Sequence, residues 1–386
     1  MRRKSKAITI ISSSYPPLLG GSSTVVYNLA QNLTKAGYEV SIITKYPHKG
    51  FKKEKDSTVK VYYLFRLSRI VNRSLERYVR YVTYVFNWLK AFFVIKKISP
   101  DVVIGVYPDH MFLELGMTST KMAGKKFIPY LHDTLVEALG YTKYKNKALE
   151  LQKKLFANGE IIVISDGMQE LYRQKYNMKT SVLCHTLTEG NFIENTLESN
   201  CNDIKNSIFW GGNIYNINKN AIQRISHAIS ETEMELEISN TQSYKHLNAM
   251  GLSSDNYKKM YYSDSDYNTN LKKQGLLLIA LDYPDESPVH PDELSTIFPT
   301  KTIEYLLSGR PILVHAPENY FITKFFKEHN CGYICSSRDT LELSKAINAI
   351  KNDEMIAEVV QNARKVASSY FNPKSGINKL QEKNII

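Results

Sequence analysis

The sequence predicts an α/β chain of two doubly wound, Rossmann-like domains, and three observations predict it. Short uncharged runs of β-branched residues alternate with amphipathic segments, the pattern of strands buried on both faces of a parallel sheet. The alternation stops once, in an asparagine-rich stretch from Glu189 to Asn206, and then resumes. The chain has 386 residues, 43% of them hydrophobic, which is too long for one core and sufficient for two. The expected domains are 1–190 and 205–365, with a C-terminal helix at 366–386 packing back on the first.

Ala7–Ile11 reads as the first strand, a β-branched run with no charge inside it. A loop follows from Ser12 to Ser23 with Pro16-Pro17 and Gly20-Gly21. Thr24 to Ala36 then carries Val25, Leu29 and Leu33 at helical spacing and ends at Gly37. Val40–Ile43, Asp101–Gly105, Lys126–Tyr130 and Glu160–Ile164 continue the first set of strands. After the polar break come Ser207–Gly212, Leu236–Ile238, Gly275–Leu281, Pro311–Val314 and Tyr333–Cys335, with helical segments between them.

Composition narrows the setting. No apolar run approaches the roughly 18 residues needed to cross a bilayer, and Met1–Lys6 leads into too short an apolar stretch for a signal peptide. The expected location is cytoplasmic. Cys184, Cys201, Cys331 and Cys335 form neither metal-ligand pairs nor a dense disulfide framework. A net charge of +12 calls for something acidic nearby: nucleic acid, an anionic membrane face or phosphorylated substrates. The basic residues are spread without a nucleic-acid module, so no nucleic-acid partner is expected. The segment Arg69–Lys97 mixes seven basic residues with seven aromatic ones. It reads either as an amphipathic helix resting peripherally on an anionic membrane or as a crossover helix with a basic outer face.

The stretch Phe298 to Leu313 concentrates the most chemistry. Pro299 favours a first helical turn and Thr300 or Thr302 can cap it, leaving amides and a positive dipole end for a phosphate. Glu304, four residues after Thr300, is placed to accept hydrogen bonds from a ribose; the alternative is an ordinary helix ending at Ser308-Gly309. Dinucleotide and Walker fingerprints are absent after the first strand. Asp264-Ser265-Asp266 reads as a surface turn, so no metal is expected and the charge of a diphosphate would fall to Lys301 and Lys219. His132-Asp133, just after a strand, is placed either to meet a sugar or to cap the next helix.

With these residues in hand, the chain resembles the retaining, nucleotide-sugar-dependent glycosyltransferases of family 4, whose GT-B fold sets two Rossmann-like domains across a cleft. The likeness lies in Ser14-Tyr15-Pro16-Pro17 with Gly20-Gly21, in Tyr27 to Val40, in Ile162 to Met168, and above all in Phe298 to Pro311. The resemblance implies a glycosyltransferase of hexosyl type, independent of metal and cofactor. Its donor would be a nucleotide sugar and its acceptor a glycan or polyprenyl-linked molecule in surface polysaccharide or glycoconjugate biosynthesis. It implies that Gly20 and Gly21 approach donor phosphates, that His132 meets the transferred sugar, and that Glu304 binds ribose. The backbone from Thr300 to Thr302 would hold the diphosphate, with Lys301 and Lys219 stabilising its departure. Two positions depart from the family pattern: Thr296 stands where a first glutamate is usual, and Gly212-Asn213 where Gly-Arg is usual. The rival readings are a catalytically silent scaffold of this fold that binds a nucleotide sugar or partner, and a nucleotide-sugar epimerase.

Overall fold

The computed structural model describes residues 6–16, 20–47, 58–65, 73–138, 144–157, 159–196, 205–262 and 264–386, with backbone alone at 73–78, 80, 264 and 265. The chain divides into two compact units, Met1–Glu189 with Pro373–Ile386, and Gly190–Asn372.

The first unit runs β1 (Ala7–Ile11), α1 (Gly21–Lys35), β2 (Glu39–Lys45), β3 (Lys60–Leu64), α2 (Arg73–Ile98), β4 (Val102–Tyr107), α3 (His110–Met122), β5 (Lys126–Leu131), α4 (Lys145–Phe156), β6 (Ile162–Val163), α5 (Asp166–Tyr176) and β7 (Ser181–Val182). Its seven strands are parallel in the order β3-β2-β1-β4-β5-β6-β7. β1 shows why its sequence carries no charge. Ile8 and Ile10 enter one core with Val25, Leu29 and Leu33 of α1, while Ile11 enters another with Ala91 and Ile95 of α2. The helices stop and start on local signals. Asp109 accepts from the Phe112 amide at the head of α3, Ser165 accepts from Met168 at the head of α5, and Gly37 (φ 91°) follows the end of α1.

The second unit begins within α6 (Glu189–Thr196) and continues β8 (Ser207–Gly211), α7 (Lys219–Ala228), β9 (Glu235–Ser239), α8 (Tyr244–Ala249), β10 (Lys258–Met260), α9 (Asp264–Lys272), β11 (Leu276–Ala280), α10 (Pro291–Thr296), α11 (Thr302–Leu307), β12 (Ile312–His315), α12 (Phe321–Glu328), β13 (Tyr333–Ile334), α13 (Thr340–Lys351) and α14 (Ile356–Tyr370). The sheet order is β10-β9-β8-β11-β12-β13, again parallel. The last helix, α15 (Pro373–Glu382), belongs to the first unit, where Ile377 and Leu380 join the core that holds Val25 and Leu29. Glu189, where the chain leaves that unit, is paired with Lys35 of α1 and Lys374 of α15.

Some expected elements change. α1 starts at Gly21 rather than Thr24, and the strand expected over Glu160–Ile164 contracts to Ile162–Val163. β3, β7 and β10 lie outside the expected set because β7 and β10 are too short to show a period and β3 pairs only with β2. Asp133 caps no helix, since the next one begins at Lys145. Cys184, Cys331 and Cys335 are free thiols; Cys201 lies outside the described residues, as do residues 69–72 of the basic aromatic segment. Among the described residues no helix is long and apolar enough to cross a membrane, and no cluster of His, Cys, Asp or Glu is arranged to hold a metal.

The fold places candidate sites through its topology. In each sheet the strand order reverses once, between β1 and β4 and between β8 and β11. Loops leaving the carboxyl ends of strands flanking such a point spread apart, which makes room for a ligand.

Candidate donor-binding site

In the first unit the reversal point is occupied by the head of α1 and the residue after β5. Gly20 caps α1 at φ 134°, a backbone angle that side-chain-bearing residues rarely adopt, although nothing would crowd a Cβ there. Its carbonyl accepts from Ser23 and Thr24, so the amides of Gly21 and Ser22 are the ones left at the helix tip, and no acidic residue lies in that turn. His132 is only 8% exposed. Its amide donates to the Tyr107 carbonyl, its Nδ1 lies 3.2 Å from Ser22 Oγ, and its ring packs edge-on against Tyr130. Nε2 has no partner. Burial, reinforced by the neighbouring His185, drives the His132 pKa down to about 3, so the ring is neutral at physiological pH. A neutral imidazole with one free nitrogen can hydrogen-bond a sugar hydroxyl; it is not a proton reservoir. His185, 7% exposed, is likewise neutral, pushed down to about 4 by burial, and its Nδ1 is unpartnered.

In the second unit the reversal point brings together residues from three loops. β8 ends at Gly211, and Gly212 turns the chain at φ 103°. Lys301 reaches Gly211: its Nζ donates to the Gly211 carbonyl at 3.0 Å and lies over the Trp210 ring. One helical turn later, the buried Tyr305 hydroxyl accepts from the Gly211 amide at 2.9 Å and from the Tyr267 hydroxyl. Both polar groups of one glycine are thus held by residues four apart on one segment. A Cβ on Gly211 would fall on the Tyr267 hydroxyl, so only glycine fits. Lys301 has no carboxylate partner among the described residues, and desolvation holds its pKa well below the usual lysine value. Glu304 lies near enough to Tyr305 and Tyr267 for its charge to push both phenols up.

The helix start itself differs from expectation. α11 begins at Thr302, two residues after Thr300, and no threonine caps it: the Thr302 amide turns back to the Pro299 carbonyl and Thr302 Oγ1 is buried without a partner. Thr300 lies half-buried in the preceding turn. Tertiary packing of Ile303, Leu306 and Leu307 sets where the helix begins, and the strongest positive group at the spot is the Lys301 ammonium rather than the dipole of this six-residue helix.

Lys219 is the first residue of α7. What holds that turn is Asp282, fully buried beyond β11, whose carboxylate accepts from the Ala221 amide at 2.8 Å and the Asn220 side chain at 2.9 Å. Burial raises its pKa to about 6. Asn213 sits in the open turn after Gly212, within 3.4 Å of Thr241 and Tyr215. Thr296 ends α10 with its hydroxyl donating to the Glu293 carbonyl of its own helix, and Glu293 is itself buried. Asp266 lies on α9, but the side chains of Asp264 and Ser265 fall outside the described residues.

The structure therefore brings Gly212, Lys301 and Glu304 together in unit 2, and Gly20, Gly21 and His132 together in unit 1. Sequence reasoning passed over Ser22, His185, Trp210, Tyr267, Asp282 and Tyr305. Tyr305 was within reach, since it follows Lys301 at the i,i+4 spacing that puts two side chains on one helix face. Tyr267, on α9, and Asp282, in the loop after β11, are remote in sequence from the groups they hold and carried no local signal.

Comparison with known proteins agrees with this architecture. The Glycosyltransferase Family 4 profile matches residues 19–184. No curated protein matches the chain. Among solved structures, sucrose-phosphate synthase from Thermosynechococcus elongatus superposes with a TM-score of 0.72 at 16% identity, covering 98% of both chains. Anabaena HepE in complex with UDP-glucose superposes at 0.69 and 14% identity, again over 98% of each. The S. aureus MnaA–UDP structure follows at 0.57 and 15% identity, covering 99% of this chain and 98% of that one. The chain thus has the GT-B fold, and its residues 19–184 match the Glycosyltransferase Family 4 profile.

Proposed function

We propose that the chain transfers a hexosyl group, with retention, from a nucleoside-diphosphate sugar to a glycan or polyprenyl-linked acceptor in surface-glycan biosynthesis. The observation that carries the reading is Lys301: a half-buried, desolvated lysine with no carboxylate partner among the described residues, at the reversal point of the second sheet, beside an open glycine turn and one turn from Glu304. An uncompensated desolvated cation is costly, and a bound diphosphate supplies the missing charge. That UDP and UDP-glucose are bound by HepE supports a nucleotide sugar as donor.

In this reading Glu304 accepts from the ribose hydroxyls and Lys301 meets the diphosphate. Lys219 and the backbone of Gly212, Asn213 and Thr300 to Thr302 lie beside it. As the anomeric bond breaks, charge grows on the departing diphosphate, and groups placed for that charge stabilise the transition state more than the ground state. The charge is met by lysines, so the reading requires neither a cofactor nor a metal. In the first unit, the tip of α1 at Gly20-Gly21 offers amides to phosphate and the neutral His132 offers its free nitrogen to a sugar hydroxyl.

The test is a panel of nucleotide sugars. The expected result is that one, with uridine or guanosine as base, raises the melting temperature, since a ligand of the native state stabilises it by mass action. That donor should then be consumed with release of nucleoside diphosphate when acceptor is present. Stabilisation without turnover would favour the silent scaffold, and conversion of the donor sugar without acceptor would favour the epimerase. A protein stabilised by none of the panel would sink the reading.

A further inference from the structure

A second surface stands apart from the donor site. α2 buries one face, with Asn87, Ala91 and Ile95 turned inward and Trp88 packed beside them against Ile11, Ile43, Leu64 and Leu115. Its other face is apolar and open: Phe86 is 56% exposed, Leu89 36% and Phe93 64%, at the i, i+3, i+7 spacing of a single stripe. A fourth apolar group is set beside it on purpose-built backbone. The buried Asn87 side chain accepts from the Phe65 amide at 2.7 Å and donates to the Phe65 carbonyl at 3.0 Å. The Phe65 ring, 54% exposed, is thereby displayed with Lys90 Nζ 4.2 Å from its centre. Lys96 and Lys97 flank Phe93 and are exposed, and among the described residues no carboxylate pairs with Lys90, Lys96 or Lys97.

The geometry points to this face as a docking surface for an anionic lipid bilayer, with Phe65, Phe86, Leu89 and Phe93 entering the headgroup region and the three lysines meeting lipid phosphates. Large rings on one side of a helix with cations at the margin fit an interface that is apolar within and negative at its surface. The chain's net charge of +12 has the matching sign. The inference stands on α2 and Phe65 alone, so it survives or fails independently of the donor site.

The experiment is co-sedimentation with phosphatidylcholine vesicles, with and without phosphatidylglycerol. The wild-type chain should bind the phosphatidylglycerol vesicles and release with salt. Phe86→Ser with Phe93→Ser should weaken binding on the order of 100-fold at unchanged melting temperature. Lys90→Glu with Lys96→Glu and Lys97→Glu should abolish the preference for anionic lipid. Equal binding by the serine variant, equal binding to phosphatidylcholine alone, or a concentration-dependent dimer that the serine variant dissolves would each overturn the assignment.

Discussion

Lys301→Met separates the donor-site reading from a structural one because the two predict opposite effects. Methionine keeps the length and the methylenes over Trp210 while deleting the charge. The variant loses one charged hydrogen bond to the Gly211 carbonyl, about 1.5–3 kcal/mol, and a cation–π contact of about 0.5–2 kcal/mol. It also escapes a desolvation penalty of several kcal/mol for a cation with no carboxylate beside it. These nearly cancel, so the melting temperature should hold or rise slightly. Donor binding should move the other way: losing the charge that meets the diphosphate costs roughly 2–3 kcal/mol, or about 30- to 150-fold in Kd. Because burial lowers the folded pKa of Lys301 below its unfolded value of 10.5, the unfolded state binds more protons between the two, and wild-type stability rises with pH up to about that value. The variant should lack that slope. A variant that melts lower yet binds as tightly would refute the reasoning and leave Lys301 a structural residue.

Glu304→Ala should weaken nucleoside-diphosphate binding about 10-fold or more while circular dichroism stays unchanged, and wild-type affinity would contradict its role at the ribose. Tyr305→Phe leaves the buried Gly211 amide without its acceptor and should cost about 1–3 kcal/mol, read in denaturant unfolding; no loss would mean that another group takes up the amide. His132 and His185 titrate at about 3 and about 4 in the folded chain against 6.5 in the unfolded one, so they contribute stability that is present above about pH 6.5 and is lost as pH falls. Asp133, raised by burial to about 6, opposes them, since its neutral form is the one favoured in the fold. His132→Gln should flatten the acid limb of a stability–pH curve, and an unchanged limb would place the two histidines in wetter surroundings.

Much of the fold was written locally. Ala7–Ile11, Leu276–Ala280 and Ile312–His315 are uncharged runs that cannot face water, and the helices between them carry their own punctuation, as with Gly37 after α1. Strand alternation and the asparagine-rich break therefore fixed the class and the two-part layout, and Glu304 and Lys301 stood out because helix spacing places them. What tertiary structure alone decided was where each charge and hydroxyl ends up. That the Lys301 ammonium rests on a carbonyl and an indole, that Tyr305 and Tyr267 converge on Gly211, and that Asp282 holds the first turn of α7 all depend on neighbours more than 50 residues away in the chain. Local preference also lost where it met the core: the threonines suited to cap α11 do not, because burying Ile303, Leu306 and Leu307 sets the helix start. Periodicity is a property of a segment and survives in sequence; desolvation and hydrogen-bond partnership are properties of a place, which exists only once the chain has closed around it.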